Sequence, residues 1–161
     1  MKLTQQEEIG LRCMMQMAHM QPATSLAIPE IAKREALTTA YVAKLMRQLR
    51  MAGLVTSIRG PKGGYQLTRD PEDIRVSEIL AALGKPLYQP QLCRLPDSHG
   101  KRCVHSKDCS IRALRWGLDQ LVIGLLSQCS LSDLLGDEQA VTQQVQGHIN
   151  QVPWVMKGKS H

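Results

Sequence analysis

Three cysteines lie near one another in a stretch of the chain that is poor in apolar residues: Cys93, Cys103 and Cys109. Residues 85–108 also contain three prolines and a glycine, so this segment can add little to a hydrophobic core. Thiolates on such a loop can hold an iron–sulfur cluster, because loop backbone bends freely around a compact inorganic core. We therefore expect a bound ligand to account for this segment.

The spacing Cys-x9-Cys-x5-Cys leaves the type of metal site open. Structural zinc sites usually contain ligands two to four residues apart, and this chain has no such cysteine pair, although His99 or His105 could still bind zinc. Three cysteines leave a four-ligand cluster one ligand short. The local candidates for the fourth ligand are His99, His105 and Asp108, and Glu8 is a remote one. The choice between a 2Fe-2S and a 4Fe-4S cluster stays open.

The same cysteines also fit a thiol switch that forms a disulfide or persulfide without iron. Nearby cations favour thiolate formation, but they would equally stabilise an anionic cluster: Arg94, Lys101, Arg102 and Lys107. An odd total of five cysteines argues against a structural disulfide framework. Cys13 and Cys129 lie within apolar patterns, and we predict that they are small core residues.

The elements that precede the cysteines have the order of a winged helix-turn-helix. A capping box, Thr4-x-x-Glu7, predicts a first helix that ends near residue 20, and proline at position 29 predicts a short second helix over 29–34. Thr38 is suited to cap a third helix over 39–51. Two short strands, 54–58 and 65–68, flank a basic, glycine-rich tip. The predicted fold class is mostly α with a small β-hairpin wing.

Charge in this region indicates a DNA-binding surface. Between residues 33 and 69 the single acidic residue is Glu35, against eight basic ones: Lys33, Arg34, Lys44, Arg47, Arg50, Arg59, Lys62 and Arg69. We predict DNA contacts from the third helix and from the wing, at Thr39, Tyr41, Lys44, Arg47, Arg59, Lys62, Gly63 and Gly64. The alternatives are a basic face that is merely solvated and a hairpin that needs glycine only for its turn.

Residues 111–128 predict a long helix with a continuous apolar stripe, since apolar residues recur at intervals of three and four: Ile111, Leu114, Leu118, Leu121 and Leu125. We expect this helix to form the subunit contact of a homodimer, because operators with twofold symmetry in double-stranded DNA require two DNA-binding domains. The alternative is an intramolecular core. The expected division is a DNA-binding region (1–84), a cysteine loop for cluster ligation (85–109), a dimerisation helix with a short following helix (110–136) and a polar flexible tail (137–161).

Several classes of protein are disfavoured. No apolar run approaches the roughly 20 residues that span a bilayer, and the first residues lack an apolar signal segment, so we expect a cytoplasmic protein without membrane contact. The five histidines have no evident nucleophile partner, so we do not expect an enzyme. A small iron–sulfur electron-transfer protein is a further alternative, but it would need no recognition helix.

Taken together, these features resemble the winged-helix iron–sulfur transcriptional regulators typified by IscR and NsrR. The resemblance covers residues 1–136 and rests on four features: the opening Met1-Lys2-Leu3-Thr4, the segment 45–55, the wing sequence over 59–65 and three cysteines before a long helix. It implies a homodimer with crossed long helices and palindromic operator binding. It also implies a cluster on Cys93, Cys103 and Cys109 whose gain, loss or nitrosylation changes DNA affinity, with repression as the usual outcome.

The chain departs from this family pattern at three places. Arg112 occupies the position where IscR-like members have a histidine ligand, which favours the NsrR-like arrangement, in which an acidic residue corresponding to Glu8 reaches the partner subunit's cluster. Ala43 stands where the IscR-type recognition helix carries a glutamate, so its base preference does not carry over. The gap between Cys93 and Cys103 is wider than usual, which also fits another cluster type or two iron-binding cysteines.

Overall fold

The first helix, α1 (Gln5–Ala18), begins at the predicted capping box. The amide of Glu7 donates to the Thr4 hydroxyl at 3.3 Å, and the amide of Thr4 donates to the Glu7 carboxylate at 2.7 Å. These two bonds satisfy amides that would otherwise lack partners at the helix start. The computed structural model describes residues 3–20, 24–60, 63–84, 105 and 108–151.

The remaining elements follow the predicted order. Helices α2 (Ile28–Arg34) and α3 (Thr39–Met51) precede strands β1 (Val55–Ile58) and β2 (Gly64–Leu67), and then come α4 (Val76–Leu83), α5 (Ser110–Leu126) and α6 (Glu138–Gln151). One-turn 3-10 helices occupy Pro71–Asp73 and Ser132–Leu134. The predicted fold class, mostly helical with a small hairpin wing, is confirmed.

The described part of the chain divides into two units, Met1–Gly84 with Leu125–His161, and Lys85–Gly124. The first unit contains the hydrophobic core, to which α1, α2, α3, α4 and β1 contribute buried side chains. Methionines supply part of this core in the absence of phenylalanine, with Met14 and Met46 fully buried. Gly10 allows close packing of α1 on α4, because a Cβ there would stand 2.0 Å from a terminal methyl carbon of Leu83.

The two strands pair antiparallel, with Val55 opposite Leu67 and Ile58 opposite Gly64. Leu26, which precedes α2, extends this hairpin by exchanging two backbone hydrogen bonds with Tyr65 at 2.8 and 2.9 Å. A similar short pairing joins the segment before α4 to the chain after α5, where the Val76 amide donates to the Cys129 carbonyl at 2.9 Å. Both contacts lie within the first unit.

The last helix differs from the prediction. We expected residues 137–161 to form a polar flexible tail, whereas residues Glu138–Gln151 form α6. Asp137 caps this helix by accepting a hydrogen bond from the amide of Ala140 at 2.8 Å. Three partly buried apolar residues recur at intervals of four along one side of α6: Val141, Val145 and Ile149. Residues 152–161 lie outside the described residues.

None of the helices within the described residues is both long enough and apolar enough to span a bilayer.

Candidate DNA-binding surface and cysteine site

Helix α3 separates a buried apolar side from an exposed side without acidic residues. Its buried residues are Val42, Leu45, Met46 and Leu49. Thr39, Lys44 and Arg47, three of the predicted DNA contacts, are all exposed. Tyr41 is partly buried against the core, so only part of its surface is available to a ligand. The exposed side therefore offers a hydroxyl group and two cations on one short helix, groups that can contact base edges and phosphates.

The turn between α2 and α3 sets the orientation of this helix. Ala36 has a φ of 54°, in the left-handed region that non-glycine residues rarely adopt. The amide of Leu37 donates to the Ala32 carbonyl at 2.8 Å, which fastens the turn to α2. Thr38 then caps α3 by accepting a hydrogen bond from the amide of Tyr41 at 3.3 Å, as the sequence predicted.

The wing is formed by β1, β2 and their connection. Arg59 is exposed beside Gly60, whose φ is 121°, while Lys62 lies outside the described residues. A Cβ at Gly63 would stand 2.6 Å from the Ile58 carbonyl oxygen, and the chain leaves no room for a side chain at Gly64 either. Packing within the protein therefore requires both glycines, and their contacts with DNA stay a prediction.

Two residues of the basic stretch have intramolecular partners. Arg69 donates to the Glu78 carboxylate at 2.8 Å and to the Asp73 carbonyl at 3.0 Å, and Arg34 pairs with Glu30. The hydrogen bond from Arg69, followed by one from the Arg75 amide, lowers the pKa of Glu78. By contrast, no ion pair within the described residues engages the predicted DNA contacts Lys44, Arg47 and Arg59.

Of the three predicted cysteine ligands, Cys109 alone falls within the described residues, and Cys93 and Cys103 lie outside them. Cys109 is partly buried and directly precedes α5; its carbonyl accepts hydrogen bonds from the amides of Arg112 and Ala113 at 3.1 and 3.3 Å. The described residues contain no group of three potential metal ligands. A thiol at a helix start, with part of its surface accessible, fits the donor set of an iron–sulfur cluster.

The two other cysteines are core residues, as predicted. Cys13 is fully buried and Cys129 is 3% exposed. Burial, with a smaller effect of Glu35, raises the pKa of Cys13 to about 11. Burial and the neighbouring Asp133 also raise the pKa of Cys129. Both thiols are therefore poorly suited to act as thiolate ligands or nucleophiles.

Helix α5 presents an unusual amount of apolar surface. Six of its large apolar side chains are between 38% and 64% exposed: Ile111, Leu114, Trp116, Leu118, Leu121 and Ile123. A single exposed leucine is common on protein surfaces, but six exposed large apolar side chains on one helix indicate an interaction surface. Four of the five residues that the sequence placed on the apolar stripe are among these six: Ile111, Leu114, Leu118 and Leu121.

Glu8 lies in the first turn of α1 and borders a groove of about 680 Å³ in the first unit. The groove is bounded by α1 and α6, and its apolar lining includes Leu11, Met15, Val141, Val145 and Ile149. The Glu8 side chain is 53% exposed and pairs with Arg12. The α6 side of this groove was not predicted, although the spacing of four between its apolar residues is a helical signal in the sequence.

Comparison with known proteins agrees with this architecture. Residues 3–137 match the family model of Rrf2, described as an iron-dependent transcriptional regulator. The chain is 33% identical over 138 residues to protein rrf2 of Nitratidesulfovibrio vulgaris, covering 85% of this chain and 89% of that relative. It is 29% identical over 153 residues to the HTH-type transcriptional regulator IscR of Photobacterium profundum, covering 94% of this chain and 84% of the relative.

A solved structure shares the fold. CymR, the global cysteine regulator of B. subtilis, superposes with a TM-score of 0.66 and 27% identity, covering 84% of this chain and 96% of CymR. The family match covers most of the chain, and it includes the helix-turn-helix, the wing and the whole of the long helix α5. The resemblance read from the sequence is therefore confirmed, and this chain belongs to the Rrf2 family of winged-helix transcriptional regulators.

Proposed function

We propose that this chain is a homodimeric, cytoplasmic DNA-binding regulator whose operator affinity is controlled by an iron–sulfur cluster. The observation that carries the proposal is the position of Cys109, which directly precedes a helix with six exposed apolar side chains. A ligand that fixes Cys109 also fixes the start of that helix. Ligand binding and subunit contact are thereby coupled through one element.

The proposed dimer uses two apolar surfaces that complement each other. The exposed side chains of α5 require a partner, and the α1–α6 groove offers an apolar lining of matching character. We assign the groove to the α5 helix of a second copy. We propose that the start of the second copy's α5 lies at the Glu8 end of the groove, which would bring this carboxylate near Cys109 of that copy.

The proposed cluster ligands are Cys93, Cys103 and Cys109, with Glu8 of the second copy completing the site. A cluster bound there would supply a reversible link that responds to redox state, nitric oxide or iron–sulfur status. The protein's own residues would convert that link into a change of dimer geometry, because each half of the site belongs to a different subunit. Such a change alters the spacing of the two α3 helices.

DNA would be contacted by α3 and the wing. The exposed Thr39 and Lys44, with the free part of Tyr41, are assigned to the major groove, and Arg47 and Arg59 to phosphates or the minor groove. Lys62, Gly63 and Gly64 are proposed to bring the wing tip to the backbone. The absence of an ion pair at Lys44, Arg47 and Arg59 within the described residues supports this assignment.

A second candidate is a regulator in which the cysteines act as a thiol or persulfide switch without iron. The cations between residues 94 and 107 support thiolate formation. The similarity to CymR, a cysteine regulator, also keeps this candidate open. In this version the reactive thiols are Cys93, Cys103 and Cys109, since Cys13 and Cys129 are buried and have raised pKa values.

Iron and acid-labile sulfide measured per monomer, on protein purified without oxygen, distinguish the two candidates. We expect near-equal iron and sulfide with visible charge-transfer absorption, lost in Cys109→Ala and retained in the matched control Cys129→Ala. Tight operator binding by protein that contains neither iron nor sulfide would contradict the cluster and favour the thiol switch.

A further inference from the structure

Arg12 on α1 lies between two carboxylates. One terminal nitrogen of its guanidinium, Nη2, pairs with Glu8 Oε1, and the other, Nη1, is 4.0 Å from Glu35 Oε2. The two acidic partners differ in burial, because the side chain of Glu8 is 53% exposed and that of Glu35 only 10%. One cation is thus shared between a solvated carboxylate and a nearly buried one.

Glu35 occupies a sensitive position in the helix-turn-helix. It ends α2 and directly precedes Ala36, the residue with a left-handed backbone. Its amide donates to the Ile31 carbonyl at 3.0 Å, and its carboxylate accepts a hydrogen bond from Gln16 on α1 at 3.0 Å. Gln16 in turn accepts a hydrogen bond from Arg34 at 3.2 Å. The second carboxylate therefore belongs to the turn that orients α3.

We infer that Arg12 is a positioning residue that transmits the state of Glu8 to the helix-turn-helix turn. When another group engages the Glu8 carboxylate, the guanidinium moves from Glu8 toward a direct contact with Glu35. The contact with Glu35 strengthens on that move, because the nearly buried Glu35 carboxylate is screened less by water than the exposed carboxylate of Glu8. Arg12 is suited to this role because its planar fork offers separate nitrogens to the two carboxylates.

This inference rests on the proposed function only in naming a cluster as the group that engages Glu8. The ion-pair exchange itself depends on residues of the first unit and needs no iron. It also supplies what a coupled system requires, namely different contacts in its two states. An ordinary surface pair between Glu8 and Arg12, with no effect on the turn, is the competing outcome.

Amide hydrogen exchange, measured on metal-free, chelator-treated protein, tests the move of Arg12 from Glu8 to Glu35 directly. Glu8→Gln removes the competing charge, so we expect the amides of Glu35 and Leu37 to exchange about twofold to threefold more slowly than in the wild type, relative to the amides of α4. In protein that already carries Arg12→Gln, adding Glu8→Gln should leave the exchange rates of the turn amides unchanged. An equal response with and without Arg12, or no response in either background, would overturn the inference.

A second variant guards against a general effect of Arg12 on folding. Glu35→Gln keeps an acceptor for Gln16 but removes the charge that attracts Arg12, so Glu8→Gln should no longer slow the turn amides in this background. Full retention of the slowing would show that Glu35 is not the receiving carboxylate. Because no cluster is present in either experiment, both remain informative if the chain proves to bind no iron.

In cluster-loaded protein the same variant tests the consequence for DNA. The ratio of dissociation constants of the loaded and empty forms is measured on a duplex selected from a random-sequence library. Glu35→Gln should bring this ratio at least about twofold closer to one, with unchanged iron and sulfide content. An unchanged ratio in a normally loaded protein would contradict the transmission route while leaving the cluster proposal standing.

Discussion

Gly64 lies so close to the backbone of Leu26 that a Cβ atom at Gly64 would stand 2.5 Å from the Leu26 carbonyl oxygen. The two hydrogen bonds between Leu26 and Tyr65 draw β2 to this distance. The wing is therefore attached to the segment before α2 by its backbone, and its position relative to the helix-turn-helix depends on a residue without a side chain.

Replacing Gly64 with alanine should separate β2 from Leu26 and lower the free energy of unfolding by about 1–3 kcal/mol. Urea denaturation measures this change. Gly147→Ala in α6 is the matched control, because nothing lies within 4 Å of its Cβ position, and there alanine should stabilise the helix by roughly 0.5–1 kcal/mol. A stabilising effect at both positions would contradict the described attachment of the wing.

Arg47 is exposed on α3 and is expected to contact a phosphate. Arg47→Ala should then weaken binding to all duplexes by a similar factor and reduce the salt slope of the association constant by about 1. Fluorescence anisotropy at two salt concentrations, on a selected and an unrelated duplex, measures both quantities. Arg47→Lys keeps the charge and should restore most of the affinity, whereas a loss confined to the selected duplex would indicate base contact instead.

The three described cysteines should differ in reactivity. At a pH well below both pKa values, a thiol with a pKa of about 11 has a thiolate fraction about a hundredfold smaller than a thiol with the ordinary pKa of 9.0. Cys13 should therefore react slowly even before its burial is considered. Brief alkylation of native, metal-free protein should modify Cys109 before Cys13 and Cys129, as measured by peptide mass spectrometry. Modification of Cys13 at the same rate without denaturant would be inconsistent with the described core.

Asp133 links α6 to the turn that follows α5. Its carboxylate accepts hydrogen bonds from the Ser130 amide at 2.8 Å and contacts His148 of α6 at 3.2 Å. Burial acts to raise the pKa of Asp133, but the hydrogen bonds from Ser130 and then His148 outweigh burial, and the pKa is lowered.

The stabilisation from Asp133 should therefore be complete above the unfolded pKa of this carboxyl and disappear as the pH falls through its lower folded value. In Asp133→Asn, the loss of unfolding free energy between about pH 5 and pH 2 should be smaller than in the wild type. Urea titrations at several pH values measure it, with Glu138→Gln as a control for an exposed charge on α6. If the free energy of unfolding of Asp133→Asn depended on acid pH as strongly as that of the wild type, this carboxylate would not contribute to the acid sensitivity of the fold.

The helix-turn-helix could be predicted from the sequence because its signals are local. Thr4 and Glu7 mark the start of α1, and Thr38 marks the start of α3, each through a hydrogen bond to a residue three positions away. Helix α6 was missed because its apolar residues are few and it also depends on a pairing between His148 and Asp133, 15 residues apart. The contact of Arg12 with Glu35 likewise joins different elements and leaves no periodic signal.

The wing glycines show a different limit. The glycine-rich basic tip predicted close approach to DNA at Gly63 and Gly64, with a turn that merely needs glycine as the alternative. The close approach of Gly63 to Ile58 in the hairpin, and of Gly64 to Leu26 in the segment before α2, accounts for both glycines by packing within the protein. Two of the three predicted cysteine ligands and Lys62 lie outside the described residues, so those predictions depend on the experiments above.

The most direct test of the central claim is the operator affinity of one protein preparation in its cluster-loaded and empty forms. Duplexes would be selected from a random-sequence library by each form in parallel and compared without oxygen at one salt concentration. We predict that the two dissociation constants on a shared palindromic duplex differ by about 5-fold or more, the range of ordinary allosteric coupling. Equal affinities of a fully loaded and a fully empty dimer, on every selected duplex, would contradict control of this regulator by a cluster.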